Sequence, residues 1–237
     1  MLFTNLVFLF VFLPLLLVLY YFVPIKVKNH VLLIFSIVFY AWGGVSYTVI
    51  LLSSILFNFL FVKRIEKSRS PKQWLITGLI LNILLIVAYK YLNFFIENLN
   101  GLNYLIFGST EAFPEFKIIL PLGISFFTFQ QMSLLWDVYR GQNEKSVNFL
   151  DTALYVSLFP QLVAGPIVRY NEIISQIKKR KETTSLFTSG ILKFILGLFK
   201  KVAIADTCGA LADTIFSMDH GSLSASVAWL GIIAYSF

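Results

Sequence analysis

FLDTALYVSLFPQLVAGPIVRY, from Phe149 to Tyr170, is the stretch on which the fold turns. It is apolar enough to enter a membrane, yet Asp151, Pro160, Gln161, Gly165 and Pro166 interrupt it. The basic residues Arg169, Lys178, Lys179, Arg180 and Lys181 then outnumber Glu172 and Glu182 up to Thr184. A basic stretch of this kind marks the cytoplasmic side of a membrane protein. Whether Phe149–Val168 crosses or turns back therefore decides the side of everything after it.

Composition says why a membrane is the solvent. Of 237 residues, 58% are hydrophobic and 13% charged, and the mean hydropathy is +0.80. A soluble chain carries roughly 25% charged residues. These charges are too few to coat a soluble surface, and disordered and coiled-coil classes fail with them. An outer-membrane barrel needs alternating strands of about ten residues, whereas the apolar runs here are unbroken. The remaining class is all-α, a polytopic transmembrane helical bundle. The net charge of +7 then reads as cytoplasmic loops rather than nucleic-acid binding. Cys208 is the single cysteine, which excludes an internal disulfide and a multi-cysteine zinc site. His30 and His220, the only histidines, are little material for a metal site.

Upstream of the deciding stretch the runs are regular. Leu6–Val23 is apolar for about 18 residues, enough to span, and Pro14 is expected to kink it. No basic residue precedes it and Tyr20, Tyr21 and Phe22 stand where a small-residue cleavage site would be, so it reads as uncleaved. Lys26 to Asn29 reads as a basic loop, Val31–Trp42 as a second run, and Gly43, Gly44 and Ser46 as a turn. Tyr47–Val62 is the third run. Lys63, Arg64, Lys67, Arg69 and Lys72 then face only Glu66. Trp74–Ile96 is the fourth run, and Glu97–Lys117 reads as an acidic loop. Two crossings separate the basic loops, so both are cytoplasmic only if the N-terminus is outside, which also puts the acidic loop outside.

Ile118–Trp136 then brings the chain in. If Phe149–Val168 also crossed, the basic stretch after it would lie outside. One of these two segments is therefore expected not to span. Proline-broken, polar backbone at membrane depth survives only when buried in protein or lining a wet cavity. Phe149–Val168 is accordingly expected to be a re-entrant or broken hairpin. In Leu186–Ala205, Lys193, Lys200 and Lys201 share a face, and a lysine at the bilayer centre costs about 2.5–3.5 kcal/mol, so this segment is expected to be an interfacial amphipathic helix. A polar patch with Asp206, Asp213, Asp219 and His220 follows. Ser222–Phe237 is apolar to its last residue, which reads as a chain cut within an element.

No Walker A, GxGxxG, HExxH or GxSxG pattern is present. Chemistry must come from polar groups inside the membrane. Gln130 reads either as an interhelical hydrogen bond or as a lining group. Asp137 and Arg140, three residues apart, read first as a local ion pair. Gln161 lies between Pro160 and Pro166, where broken backbone favours a functional role. Arg169 is either a bidentate clamp for phosphate or carboxylate or a snorkelling cation. His30 reads as a membrane-edge residue and His220 as a turn residue.

Four ordered blocks carry a family resemblance: PLGISFFTFQ at Pro121–Gln130, DVYRG at Asp137–Gly141, FPQLVAGPIVRY at Phe159–Tyr170 and GLFKKVAIAD at Gly197–Asp206. With FLPLLLVLYY and FYAWGG near the start, they resemble the membrane-bound O-acyltransferases, in particular the branch of alginate O-acetylation membrane subunits. The resemblance implies transfer of an acetyl or other acyl group from a cytoplasmic donor such as acetyl-CoA to a hydroxyl of an extracytoplasmic polysaccharide. It implies an extracytoplasmic partner protein, and no bound cofactor or metal. Gln130, Asp137, Arg140, Gln161 and Arg169 become candidate substrate-binding or funnel-lining residues. The family's catalytic histidine matches neither His30 nor His220, so no catalytic residue is assigned. The chain, one integral-membrane domain over 1–237, is expected to be the first half of a family member and inactive alone.

Two other classes compete. Broken helices and intramembrane polar residues also suit a transporter or channel subunit, although no internal repeat is visible. A non-catalytic membrane scaffold for a cell-envelope partner is the third reading. The reading frame beyond Phe237 separates them, because an intramembrane histidine there favours the enzyme and a repeat of the first half favours the transporter.

Overall fold

The computed structural model describes residues 3–108, 113–114, 116–142, 147–165, 168–219 and 223–237. Every regular element among them is helical. The helices are α1 (Leu13–Phe22), α2 (Ile25–Ala41), α3 (Val45–Lys67), α4 (Pro71–Ile86), α5 (Leu92–Phe107), α6 (Ile124–Tyr139), α7 (Phe149–Ser157), α8 (Phe159–Ala164), α9 (Tyr170–Lys178), α10 (Thr184–Phe199), α11 (Asp206–Phe216) and α12 (Ala225–Tyr235). Two helices are long and apolar enough to cross a membrane, Val45–Lys67 and the continuous helix Pro71–Phe107. A third or less of either apolar window is buried within the protein. The helix buried in a soluble core hides its apolar side chains, whereas these present them outward.

The chain divides into two compact units. One holds Phe10–Arg180. The other holds Lys181–Phe237 with the N-terminal stretch up to Leu9.

Several boundaries differ from the sequence reading. The basic residues Lys26 and Lys28 lie inside α2, because the chain break falls at Val23–Pro24, before the lysines. Proline fixes its own φ and lacks an N–H, so it suits a helix start. Pro14 follows a π-helical stretch, Phe8–Phe12, which is how the helix absorbs the missing donor. The acidic segment is not all loop. Helix α5 carries Glu97 on to Phe107 and ends only at Gly108, whose φ of 70° is the left-handed cap a glycine supplies. A second π stretch, Val87–Tyr91, joins α4 to α5. The extended chain after α5 is pinned back onto it by two asparagines. Asn93 donates to the Phe116 carbonyl (2.7 Å) and accepts its N–H (3.1 Å). Asn100 does the same with Phe113 at 2.8 and 2.9 Å.

The core of the larger unit holds a polar pair between α3 and α4. Asn58 on α3 and Asn82 on α4 exchange amide hydrogen bonds of 3.1 and 2.7 Å. Each also donates to the carbonyl four residues earlier, Ser54 at 3.0 Å and Gly78 at 2.8 Å. Ser54 passes the chain on, donating to Gln131 of α6 at 3.2 Å. Apolar packing surrounds it. Leu51, Ile55, Phe127, Leu134 and Leu135 are fully buried, and a Cβ on Gly78 would stand 2.8 Å from Leu135 Cδ1. Small residues and interhelical amides are what hold helices together where apolar surface alone gives no drive.

In the smaller unit the expected end of the amphipathic segment at Ala205 is not observed. The helix continues through a π stretch, Lys200–Ala205, into α11, and Lys201 pairs with Asp206 across that stretch. No residue of Thr184–Ala205 is buried. Helix α11 packs on α12 through Ala212, Ile215, Gly231 and Ala234. The rings of Phe216 and Tyr235 meet edge-on at 6.1 Å. His220 lies outside the described residues, and His30 is exposed on α2.

Candidate active site

The deciding stretch folds as two short helices joined at Leu158. Asn148 caps α7, its side chain accepting the Leu150 N–H at 3.1 Å, an arrangement asparagine favours before a first turn. Leu158 leaves helical geometry with ψ of 109° and Gly165 ends α8 with ψ of 161°. Pro160 sits in the first turn of α8, where its missing N–H is not needed.

The start of α7 and the end of α9 lie together. Asp151 in the first turn of α7 and Lys178 at the end of α9 are 3.7 Å apart. Glu66, near the end of α3, accepts the Val147 N–H at 2.9 Å, and Lys63 donates to the Val147 carbonyl. Arg180 reaches Asn29 at the start of α2 and the hydroxyl of Tyr20 at the end of α1 (2.9 Å). The basic ends of α2, α3 and α9 thus gather where the hairpin begins and finishes. Its tip reaches the other way. Phe159 takes the Ser36 hydroxyl at 3.3 Å through its N–H and stacks against Phe39 and Phe12. Gly123, just before α6, adopts φ of 71°, and a Cβ there would meet the Leu162 carbonyl at 2.9 Å. Glycine is thus required twice over, for the backbone angle and for the close approach.

Inside this frame several polar atoms find no partner. Both amide atoms of Gln161 are buried without a hydrogen bond among the described residues. So are Gln130 Oε1, Gln131 Nε2, Thr128 Oγ1, Asp137 Oδ2 and the Tyr170 hydroxyl. Leaving such a group unpaired costs about 1–3 kcal/mol. They fall on α6, on α8 and on the first residue of α9.

The candidate residues separate. Gln130 and Asp137 are buried seven residues apart, hence on one edge of α6. Asp137 feels Arg169 of the α9 start more strongly than its neighbour Arg140. Burial nonetheless holds its carboxyl above the usual carboxylate range, with Glu172 adding to the rise. The expected local pair of Asp137 with Arg140 is not formed among the described residues. Arg140 is exposed at the end of α6 and stacks on Trp136, 5.0 Å from the ring centre, because the C-terminal turn carries its guanidinium back over the preceding aromatic rather than inward. Arg169 is exposed, at the residue before α9. Tyr170 is buried, and Asp151 and Glu66 join burial in pushing its phenol well above the ordinary range.

The individual candidates read from sequence did not include Thr128, Gln131, Tyr155 and Tyr170, although Thr128 and Tyr170 lie within the quoted blocks. Gln131 adjoins Gln130 and carried its own signal, as a second amide inside an apolar run. The aromatic hydroxyls had none, since tyrosine is common at membrane edges. Among the described residues no cluster of His, Cys, Asp or Glu is arranged to hold a metal.

An all-helical protein with outward-facing apolar helices and a polar, proline-broken hairpin defines a class of membrane proteins whose polar sites are enclosed by helices. Comparison supplies the particular family. Residues 139–237 match the model of MBOAT, the membrane-bound O-acyltransferase family. All of the chain aligns with the probable alginate O-acetylase AlgI of Pseudomonas aeruginosa, at 39% identity over 45% of that protein. It aligns at 36% identity with the peptidoglycan O-acetyltransferase of Helicobacter pylori, over 50% of that protein. A shorter match, 28% identical over 45% of this chain, is to the teichoic acid D-alanyltransferase of Bacillus subtilis. No solved structure matches. The chain is similar to the membrane-bound O-acyltransferase family, and it spans about half the length of the curated relatives it matches.

Proposed function

We propose that this chain is part of a membrane O-acyltransferase that moves an acetyl group from a cytoplasmic donor such as acetyl-CoA to a hydroxyl of an extracytoplasmic polysaccharide. The observation that carries the reading is Gln161. Its whole carboxamide is buried and, among the described residues, unpaired at the tip of a broken hairpin. A carboxamide offers two N–H donors and a carbonyl, which suits an acyl carbonyl on one side and a hydroxyl on the other. The names of the full-length relatives, an O-acetylase and an O-acetyltransferase, support this reading.

In this proposal the hairpin α7–α8 is re-entrant from the cytoplasm, the chain is multi-pass, and its N-terminus is extracytoplasmic. The grouping of the basic helix ends at the hairpin mouth supports that orientation. Arg169, exposed at the start of α9, would attract an anionic donor. Gln130, Asp137 and Gln161 line the path inward, while Arg140 serves the rim. An extracytoplasmic protein partner would carry the acetyl group onward.

Proton removal from the acceptor hydroxyl asks for a group such as an imidazole. Neither His30 nor His220 matches the family's context for it. Residues 1–237 assayed alone are accordingly expected to be inactive. The deciding experiment follows labelled acetyl from acetyl-CoA in membranes holding the intact enzyme. Transfer that falls at least about tenfold in Gln161→Leu with normal protein levels supports the reading. Unchanged transfer in that variant, or turnover by residues 1–237 alone, contradicts it.

A further inference from the structure

Among the described residues nothing bonds to the Gln161 carboxamide, so its place depends on the hairpin that carries it. The tip is anchored by Phe159 on Phe39 and by Leu162 beneath Gly123. The Tyr155 side chain closes the base. The Tyr155 hydroxyl donates to the Val168 carbonyl at 2.8 Å, bridging residues 13 apart with Gln161 between them. Tyr155 is completely buried. Its ring also meets that of Tyr170 edge-on at 5.3 Å and 85°, fixing the first residue of α9.

We infer that Tyr155 is a positioning residue, a strut whose hydrogen bond to Val168 holds α8 and so presents the Gln161 carboxamide. It touches no substrate and acts only through Gln161. This rests on the proposed acyl transfer for its kinetic part, but its structural part does not. Removing the hydroxyl while keeping the ring leaves the aromatic contact with Tyr170 in place and frees the Val168 carbonyl. The hairpin keeps its fold and loses its closure.

The test uses Tyr155→Phe in the intact enzyme, in two measurements. In the first, Gln161→Cys is introduced with Cys208→Ser, and the rate of its modification by a small thiol reagent is read with and without Tyr155→Phe. An increase of about fivefold or more, the worth of one hydrogen bond, is expected. In the second, kcat falls by a similar factor with KM changed less than about twofold, and Tyr155→Phe adds nothing in a Gln161→Leu background. An unchanged modification rate, or losses that add in the double variant, would overturn the inference. If the unaltered enzyme transfers no acetyl group, acyl transfer itself is refuted, and the modification rate still decides the role of Tyr155.

Discussion

Asp151 and Lys178 face each other across the mouth of the hairpin at 3.7 Å, one opening α7 and the other closing α9. Their side chains are unequal, the aspartate buried and the lysine 40% exposed. A pair with one solvated partner contributes at most about 1 kcal/mol. Lys178→Gln is therefore expected to leave thermal stability in detergent nearly unchanged. Asp151→Leu is expected to cost more, because Asp151 is a buried carboxylate in the first turn of α7, where it complements the helix N-terminus. Equal losses in the two variants would show that the pair itself, not the buried aspartate, holds the mouth.

The Asn58–Asn82 exchange should behave as a matched pair. Asn82→Leu leaves a buried amide without its partner, at a cost of about 1–2 kcal/mol. Replacing both residues by leucine removes the unpaired group as well, so the double variant should recover part of that loss. A double-mutant cycle on unfolding in detergent reads the coupling. Simple additivity would mean that the two amides do not interact.

Gly78 sets how closely α4 approaches α6. A valine there places atoms where Leu135 Cδ1 already stands, 2.8 Å from the first added carbon. Overpacking of this kind costs about 1–3 kcal/mol. Gly78→Val should lower the melting temperature, and Leu135→Ala in the same chain should restore much of it. Failure of that rescue would place the strain elsewhere, for instance against Phe61.

Asp137, one residue beyond the apolar run Ile118–Trp136, gives a pH signature. Its folded carboxyl binds a proton more tightly than an unfolded one, since burial outweighs Arg169 and Arg140. The folded state therefore holds the extra proton between the ordinary carboxylate value of about 4 and the raised one. Across that window this group's contribution to stability falls as pH rises. Asp137→Asn should remove that part of the slope and be more stable than the native chain at neutral pH. An unchanged slope in the variant would show that Asp137 does not titrate within the window.

How much of this was legible in the sequence depends on the physics behind each feature. Apolar runs gave α1 to α4 and α6, because side chains facing outward must be apolar along their whole length. The basic residues misled about where helices stop. Lys26, Lys28, Lys63 and Lys67 sit inside helices whose breaks fall at Pro24 and Ser68–Ser70, since lysine continues a helix as readily as leucine does. The break of Phe149–Val168 into two short helices was visible through its prolines. Its partners were not, because Ser36, Gly123 and Val168 carry no local sign of what they meet. Likewise Asn58 and Asn82 each stand alone in an apolar run, and only the packing of α3 on α4 shows that they answer each other.

The central claim is that Phe149–Val168 enters and leaves on one side. Cysteines placed at Asn148 and Gln176, each exposed, in a Cys208→Ser background report it directly with a membrane-impermeant thiol reagent. Both positions should label from the cytoplasmic side, and a cysteine at Asn103 from the opposite side. Labelling of Asn148→Cys and Gln176→Cys from different sides would contradict the hairpin and, with it, the placement of Gln161 proposed here.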